Sequence, residues 1–528
     1  MKKISAAAVK PTLTDGTEVA FLDVREHGQY GEGHPFFCVN LPYSVIEDRA
    51  PVLVPCKHTR CLLLDDGDGV ADRAACVLEG MGYTNLFILD GGAPAWAGAG
   101  FTLFKGVNVP SKTFGELVEQ QHDTPSITAE ELKAKQDGGD PLILLDGRSP
   151  TEFAKMSLPG ARSCPNAELG YRLPLLVEDD ETPIIVNCAG RTRSIIGAQS
   201  LRNLGLRNPV YALRNGTQGW RLAGFKLNHG EEPARLPQPD ETARGRISKQ
   251  ADNLIQAYGL KLVSPGTLAQ WQGEAGRTTY LLDVRTLEEF EAAHWPGARH
   301  APGGQLVQAA DEFFAVRNAR IVLCDDLLLR AATTAIWLKG MGHDACILNV
   351  DVSKGEAKSD VTVPSAQGGN TLTLEDIPAL VSQGALLLDA SRGLDFRRAH
   401  IAGAEWVTRA RVAHHCELSS RPVIVTGRNR VLLQGVVAEL ATGGMSDIHH
   451  HAGSPADWKD AGLKVIATPD TPSEDACIDH LFFVHDRHDG NLEAARRYLE
   501  WEVGLLGQLD EQEHSVLKPL APALLESV

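Results

Sequence analysis

The most regular feature of the chain is a short apolar run that ends in an aspartate and, two or three residues later, an arginine. Each run has the character of a buried strand, which leaves a carboxylate and a guanidinium where the strand ends. The pattern occurs as Phe21-Leu22-Asp23-Val24-Arg25, Leu144-Leu145-Asp146-Gly147-Arg148, Leu281-Leu282-Asp283-Val284-Arg285 and, more loosely, Leu387-Leu388-Asp389-Ala390-Ser391-Arg392. Repetition of this kind predicts one structural unit that is used four times.

A second apolar strand follows in every copy, and a loop, a helix and a glycine-containing turn come after it. The four strands are Leu62-Leu63-Leu64, Ile184-Ile185-Val186, Ile321-Val322-Leu323 and Val423-Ile424-Val425. From the repeated aspartate to the first loop residue the distance is 42 positions in the first three copies and 38 in the fourth. This constant spacing is the strongest sign of a shared fold.

Strands that alternate with helical stretches over about 100 residues are typical of a parallel sheet covered by helices. We therefore predict an α/β protein of four tandem repeats, each a small parallel sheet flanked by helices. The predicted ranges are 1–110, 120–230, 255–353 and 370–465. A tail at 466–528 follows, with a helical run from Asn491 to Leu509.

Composition narrows the classes of partner. The 528 residues carry a formal net charge of −17, which argues against nucleic acid or an anionic membrane as the partner. No apolar run approaches the roughly 20 residues of a membrane span, and the first ten residues do not form a signal peptide. The ten cysteines are scattered singly, as is typical of reduced thiols. We expect a cytoplasmic protein.

Cys188 is the candidate nucleophile, because it stands between an apolar strand and a helix in the sequence Asn-Cys-Ala-Gly-Arg-Thr-Arg-Ser. A thiolate there would face free N–H groups and the positive end of the helix dipole, which contributes up to about 2 kcal/mol. With Arg191 and Arg193 nearby, we expect the pKa of Cys188 to fall from about 8.5 to about 7. The alternative is an inert cysteine that packs as a small apolar side chain.

The strand, the Cys-Ala-Gly-Arg-Thr-Arg loop, the Leu-Leu-Asp-x-Arg motif and the turn at Pro159-Gly160-Ala161 together resemble the rhodanese family. This resemblance covers roughly residues 5–465 and implies a sulfurtransferase. Cys188 would attack thiosulfate, release sulfite, and pass the sulfur of its persulfide to cyanide or a thiol. The expected substrate-binding residues are Ala189, Gly190, Arg191, Thr192, Arg193 and Ser194, and more weakly Arg148, whose alternative is an ion pair with Asp146. We expect no cofactor and no metal.

The length of the loop separates two chemistries of this fold. Relatives that act on phosphate or arsenate resemble tyrosine phosphatases, with five residues between cysteine and arginine. Only four separate Cys188 from Arg193, and Ser194 is expected to begin the helix, so the loop favours sulfur transfer. A 3-mercaptopyruvate enzyme would resemble Cys-Gly-Ser-Gly-Val-Thr in this loop, and the difference favours thiosulfate as the donor.

The other three repeats lack the nucleophile. Asp65 and Asp325 occupy its position in repeats 1 and 3, where we expect each to be the N-cap of a helix. Repeat 4 has Gly427 there, followed by Arg428 and Arg430, and an anion-binding loop is the alternative to a structural one. Repeat 1 resembles the inactive half of a two-domain rhodanese and repeat 2 its catalytic half. Our hypothesis is that repeats 3 and 4 duplicate this arrangement.

Three further features have structural and functional interpretations. Consecutive histidines at 449–451 point in different directions, which does not favour a metal site. Cys324 lies inside its strand and is expected to be a core thiol. In the tail, residues 482–488 either dock a helix or form a wall of the active site on the acceptor side.

A second functional class also fits the repeats. The chain would then be a persulfide relay or scaffold, in which the repeats without the cysteine nucleophile bind a protein that donates or accepts sulfur.

Overall fold

The computed structural model describes residues 1–177, 179–352, 369–412, 421–485 and 491–523. It contains four sheets of parallel strands, one in each predicted repeat, and helices flank every sheet. The predicted α/β class is confirmed. The predicted linker at 353–368 lies outside the described residues.

Repeat 1 has the sheet order β1-β5-β4-β2, with β3 beside β2. Its strands are β1 (Lys2–Ile4), β2 (Val19–Asp23), β3 (Val39–Asn40), β4 (Arg60–Leu64) and β5 (Leu86–Leu89). Its helices are α1 (Ala6–Thr12), α2 (His27–Glu32), α3 (Ile46–Leu53), α4 (Val70–Gly80) and α5 (Gly92–Gly98).

Repeat 2 is preceded by helix α6 (Val109–His122) and has the order β6-β10-β9-β7-β8. Its strands are β6 (Ser126–Ile127), β7 (Ile143–Asp146), β8 (Arg162–Ser163), β9 (Ile184–Asn187) and β10 (Val210–Leu213). Its helices are α7 (Ala129–Gly138), α8 (Pro150–Lys155), α9 (Glu168–Leu176), α10 (Thr192–Asn203) and α11 (Gly216–Leu222).

Repeat 3 is preceded by α12 (Glu241–Ala257) and has the order β11-β16-β15-β12-β13. Its strands are β11 (Leu262–Val263), β12 (Thr279–Asp283), β13 (Arg299–His300), β14 (Val316–Arg317), β15 (Arg320–Cys324) and β16 (Asp344–Leu348). Its helices are α13 (Pro265–Gln272), α14 (Leu287–Ala292), α15 (Gly303–Gln308) and α16 (Leu329–Gly340).

Repeat 4 has the order β17-β22-β21-β18-β20, and β19 pairs with β23 in a separate antiparallel ribbon. Its strands are β17 (Asn370–Thr371), β18 (Leu386–Asp389), β19 (His400–Ile401), β20 (Glu405–Trp406), β21 (Val423–Gly427), β22 (Ile448–Ala452) and β23 (Val465–Ile466). Its helices are α17 (Ile377–Ser382), α18 (Gly393–Arg398), α19 (Arg430–Thr442) and α20 (Pro455–Asp460).

The tail contributes α21 (Phe482–His485), α22 (Leu492–Gly504) and α23 (Glu511–Val516). The expected helical run from Asn491 is therefore present, but it ends at Gly504 and a short 3₁₀ turn follows at Leu506–Gln508. None of the helices in the described ranges combines the length and the apolar character needed to cross a bilayer.

Burial on both faces explains the continuous apolar strands. Ile184, Ile185 and Val186 of β9 are all fully buried, because helices cover both sides of a parallel sheet. In repeat 2 the core packs Leu144 and Ile185 against Trp220. A polar side chain is placed only where such a strand ends, and this puts Asp146 next to Asn187 in register at one edge of the sheet.

The described residues form two compact units, and these differ from the pairs that we expected. One unit contains residues 1–12, 20–107, 369–412 and 421–482, so repeat 1 groups with repeat 4. The other contains 13–19, 108–177, 179–352, 483–485 and 491–523, so repeat 2 groups with repeat 3 and the end of the tail. The expected pairing of repeat 1 with 2 and of repeat 3 with 4 was wrong.

Side-chain contacts give the physical reason for this grouping. Helix α12 packs against both α9 and α16, and Arg330 of repeat 3 donates to Glu168 of repeat 2 at 2.8 Å. In the other unit, Arg409 of repeat 4 pairs with Glu47 of repeat 1 at 2.6 Å. The order of the repeats along the sequence does not predict such contacts, because they join residues that are more than 150 positions apart.

Candidate active site

Cys188 directly follows β9, and α10 begins four residues later at Thr192 rather than at the expected Ser194. The thiol is almost fully enclosed, with 2 % of its surface exposed. Among the described residues, no carbonyl or side chain accepts a hydrogen bond from the N–H groups of residues 189–193. These donors are therefore available to an anion at the helix N-terminus.

The equivalent loop of repeat 1 shows which kind of group such a cradle of N–H donors binds. The carboxylate of Asp65 accepts hydrogen bonds from the N–H groups of Gly67, Gly69 and Ala71 at 2.9, 3.1 and 3.0 Å. Asp65 lies five residues before α4, so it is not the N-cap residue that we expected. Instead, its side chain reaches along the loop to the first turn of the helix.

Repeat 3 repeats this arrangement. Asp325 accepts from the N–H groups of Arg330 and Ala331 at 2.8 and 3.3 Å. Ala331 stands six residues after Asp325, as Ser194 stands after Cys188, and the backbone of Ser194 acts to lower the pKa of the thiol. The loop thus presents N–H donors to a carboxylate at the same place in repeats 1 and 3, and Cys188 occupies that place in repeat 2.

The glycine-containing turn after β10 supports this loop. A Cβ atom at position 216 would lie 2.2 Å from the carbonyl oxygen of Cys188, and Gly216 also has a φ of +51°. The next residue, Thr217, donates its N–H to that same carbonyl at 2.8 Å. Only glycine allows this close approach, which explains why a glycine precedes the tryptophan in the repeats.

Both loop arginines are already paired with carboxylates. Arg191 forms ion pairs with Glu116, at 2.7 Å from Nε, and with Glu119. Arg193 makes two hydrogen bonds of 2.7 Å to Glu152, which also closes the capping box of α8. The expected role of Arg191 and Arg193 in binding an anionic substrate therefore stays a prediction, and neither guanidinium is free of a counter-charge.

Arg148 lies in the ion pair that was its structural alternative. It donates to both carboxylate oxygens of Asp146, at 2.9 and 2.7 Å, and to the carbonyl of Met156 at 2.6 Å. The same pair recurs in repeats 1 and 3, as Arg25 with Asp23 and Arg285 with Asp283. A part for Arg148 in substrate binding remains a prediction without geometric support.

In repeat 4, the position of this arginine is taken by an arginine from a different loop. Arg428 of its loop donates to the carbonyls of Asp395 and Ala399, and the latter corresponds to Met156 in repeat 2. The helix that follows is capped by Asn429, whose side chain accepts from Val431. Because Arg428 performs the structural task of Arg148, this geometry does not favour the anion-binding alternative.

Three carboxylates near the loop were not found from the sequence. Glu116 and Glu119 come from α6, which packs so closely on α10 that a Cβ atom at Gly115 would lie 2.8 Å from Thr192. Glu502 comes from α22 in the tail and accepts a hydrogen bond from the Thr192 hydroxyl at 2.8 Å. One of the two alternatives for residues 482–488 placed them beside the site, but the tail contact with Thr192 is made further along the chain.

The described part of that tail segment packs against the same helix. The rings of Phe483 and Trp501 meet edge to face, with their centroids 5.7 Å apart. Residues 486–488 lie outside the described residues.

Burial raises the pKa of the Cys188 thiol above its ordinary value, contrary to our expectation. Arg193 and hydrogen bonds from Ser194 oppose this effect, but the Glu502 carboxylate adds to it. Burial also raises the pKa of Glu116 to about 7. The prediction of a low pKa was wrong because it counted the dipole and the arginines without the enclosing tail and the carboxylates.

This difference can be measured by alkylation. A protonated thiol is inert, so the rate of reaction with iodoacetamide at Cys188 should rise about tenfold per pH unit from pH 6 to 9. A thiol with a pKa near 7 would instead give a plateau above pH 8. Peptide mass spectrometry after timed quenching reports Cys188 separately from the other cysteines.

The exposed Cys76 serves as the internal control in this experiment. A plateau in the Cys188 rate at or below pH 8 would contradict the structure and restore the expectation from the sequence.

Two other candidates lie away from the loop. Cys324 is fully buried in the core of repeat 3, as we expected. The histidines at 449–451 lie on β22, where His449 contacts Asp447 and His451 contacts the carbonyl of Leu372. Among the described residues, no cluster of three metal-ligating side chains is found.

Both the sequence and the structure of this chain match known proteins. The family model described as "Rhodanese-like domain" matches residues 5–99, 128–223 and 264–357, which together exceed half of the chain. A crystal structure of thiosulfate sulfurtransferase from Pseudomonas aeruginosa matches with a TM-score of 0.89 and 39% identity, over 98% of this chain and 99% of that one. The chain belongs to the rhodanese family.

A curated thiosulfate sulfurtransferase from Pseudomonas aeruginosa is 28% identical over 170 residues. This match spans 28% of the present rhodanese and 59% of the curated relative. The family model covers repeats 1 to 3, and the sheet of repeat 4 has the same strand order as those of repeats 2 and 3. The chain is thus a multi-repeat member of the rhodanese-like sulfurtransferases.

Proposed function

We propose that this rhodanese transfers a sulfane sulfur through a persulfide on Cys188. The carboxylates of Asp65 and Asp325 carry this proposal, because they accept N–H donors at the position that Cys188 occupies in repeat 2. A cradle that stabilises a carboxylate can stabilise a thiolate or a persulfide anion at the same point.

The reaction has two half-steps. In the first, the Cys188 thiolate attacks the outer sulfur of thiosulfate, the S–S bond of the donor breaks, and sulfite leaves with the bonding electron pair. In the second, an acceptor such as cyanide or a thiol takes the outer sulfur and Cys188 is regenerated. Because the arginines are paired, the free N–H groups of residues 189–193 are the main anion donors in this proposal.

Thiosulfate is the proposed donor. The relative with 39% identity over nearly the whole chain is described as a thiosulfate sulfurtransferase, and the Cys-Ala-Gly-Arg-Thr-Arg loop differs from the loop expected for 3-mercaptopyruvate. In this proposal repeats 1, 3 and 4 are inactive, because none has a thiol at the position of Cys188.

The proposal is tested by crossing donors with acceptors. Treatment with thiosulfate should add one sulfur atom to the peptide that contains Cys188, and cyanide or glutathione should remove it, as seen by mass spectrometry. Turnover with 3-mercaptopyruvate should be at least about tenfold slower than with thiosulfate. If thiosulfate adds no sulfur to Cys188, the proposal fails.

The pairing of the arginines favours one second candidate, a persulfide relay between proteins. A site whose arginines are already paired with carboxylates attracts a small dianion weakly. A protein donor could instead dock on the repeats that lack the cysteine nucleophile. A relay would accept sulfur on Cys188 but turn over slowly with every small acceptor in the same panel.

A further inference from the structure

Three buried polar atoms near the Cys188 loop have no hydrogen-bond partner within the described part of the chain. They are Oε2 of Glu502 and both side-chain amide atoms of Gln218. Glu502 is 2 % exposed, and its other oxygen is fixed by the Thr192 hydroxyl at 2.8 Å. A buried carboxylate oxygen without a donor costs stability, so its presence beside a nucleophile indicates a functional use.

Gly190 keeps the space between these atoms and the loop open. A Cβ atom at this position would lie 3.0 Å from Oε2 of Glu502 and 3.6 Å from Nε2 of Gln218. Gly190 is two residues from Cys188, and Glu502 is close enough to raise the pKa of the thiol. The unpartnered oxygen therefore borders the place where a sulfur on Cys188 meets its acceptor.

The charge of Glu502 decides which kind of acceptor fits this space. A carboxylate repels a second anion, but its oxygen can accept a hydrogen bond from a neutral S–H group. A thiol must also lose its proton before its sulfur is a good nucleophile. The amide of Gln218, which has both a donor and an acceptor to offer, can hold a polar group of the same molecule.

We propose that Glu502 is a catalytic residue of the second half-step, in which it accepts the proton of a thiol acceptor; this inference rests on the proposed function. The thiol gives its proton to Oε2, and its sulfur forms a bond with the outer sulfur of the Cys188 persulfide. The bond between that sulfur and Cys188 breaks, and its electron pair stays on the Cys188 sulfur. Glu502 then returns the proton to Cys188, so that a thiol and an enzyme persulfide become a new persulfide and the free enzyme thiol.

Several charged groups share this region and enter any pH dependence. The loop contributes Cys188, Arg191 and Arg193, helix α6 contributes Glu116, Glu119 and Lys112, and α11 contributes the neutral Gln218. Replacing Glu502 with glutamine keeps an oxygen for Thr192 and removes only the base, whereas aspartate keeps the base on a shorter side chain.

The experiment measures a single discharge of the persulfide. The full chain is loaded with thiosulfate, freed of excess donor, and mixed with glutathione or with sulfite, which needs no proton removed at pH 8. Loss of the added sulfur from Cys188 is followed by quenching and mass spectrometry. Glu502→Gln should slow discharge by glutathione at least tenfold at pH 7 and leave discharge by sulfite at pH 8 unchanged or faster.

The pH profile separates a catalytic base from a structural group. The deficit of Glu502→Gln should shrink toward pH 9.5, where glutathione ionises without help, and Glu502→Asp should recover part of the rate at pH 7. Glu500→Gln, an exposed carboxylate on the same helix, should behave as the unmodified protein.

Two results would overturn the inference. One is an equal effect of Glu502→Gln on glutathione and sulfite, which would make Glu502 only an electrostatic or structural element. The other is a deficit that does not depend on pH. If no persulfide forms before the acceptor is added, the proposed function itself fails, and this inference falls with it.

Discussion

Replacing Cys188 with serine is expected to abolish sulfur transfer and the gain of one sulfur atom after treatment with thiosulfate. Serine keeps the size of the side chain and the approach of Gly216 to the carbonyl of residue 188, so the loop should keep its shape. A hydroxyl cannot form a persulfide, and turnover with thiosulfate and cyanide should fall by at least about a thousandfold.

The exposed cysteine of α4 provides the matched control. Cys76→Ser should retain full turnover, because this side chain lies at the surface of repeat 1. Equal thermal unfolding of both variants would show that the loss is chemical. Full turnover by the Cys188→Ser variant would exclude the whole mechanism.

Replacing Arg330 with methionine should lower the free energy of unfolding more than any other substitution named above. This guanidinium has 0 % exposure and donates to carboxylates from both repeats of its unit, namely Asp325, Asp326, Glu168 and Glu289. Removing it leaves the buried carboxylate of Asp325 without its ion-pair partner, which costs about 3–5 kcal/mol. Urea unfolding and hydrogen exchange of α16, the helix that carries Arg330, measure the effect.

Arg244 is the control for this substitution, because it contacts the same cluster from its exposed side. Its distance to Asp326 is 3.4 Å and a third of its side chain is exposed, so Arg244→Met should cost less than about 1 kcal/mol. Similar losses for both variants would contradict the special role assigned to the buried guanidinium.

The local features of the site were predictable because they depend on residues close in sequence. A buried strand followed by Cys188, a glycine turn and a helix can be recognised from spacing alone. The ion pair of Arg148 with Asp146 was likewise foreseen as an alternative, since both residues stand at one strand end. Within one repeat, sequence order and spatial order agree.

The features that the sequence did not reveal depend on distant segments. Glu116 and Glu119 are more than 70 positions from Arg191, and Glu502 is 310 positions from Thr192. No local pattern marks these residues: Glu116 and Glu119 are the only acidic residues of α6 and form no motif, and α22 also carries the exposed Glu493 and Glu500. The expected direction of the Cys188 pKa shift was wrong for a related reason, since the largest cause is burial in the folded protein, and the distant Glu502 adds to it.

The origin of Glu502 also has a consequence for biosynthesis. A ribosome adds about 5–20 residues per second, so the 310 positions between Thr192 and Glu502 take about 15 to 60 seconds to make. During this interval repeat 2 can fold while α22 has not yet been synthesised. We therefore expect the nascent chain to carry Cys188 without the Glu502 carboxylate beside it, and the thiol to be more accessible to oxidation and alkylation than in the finished protein.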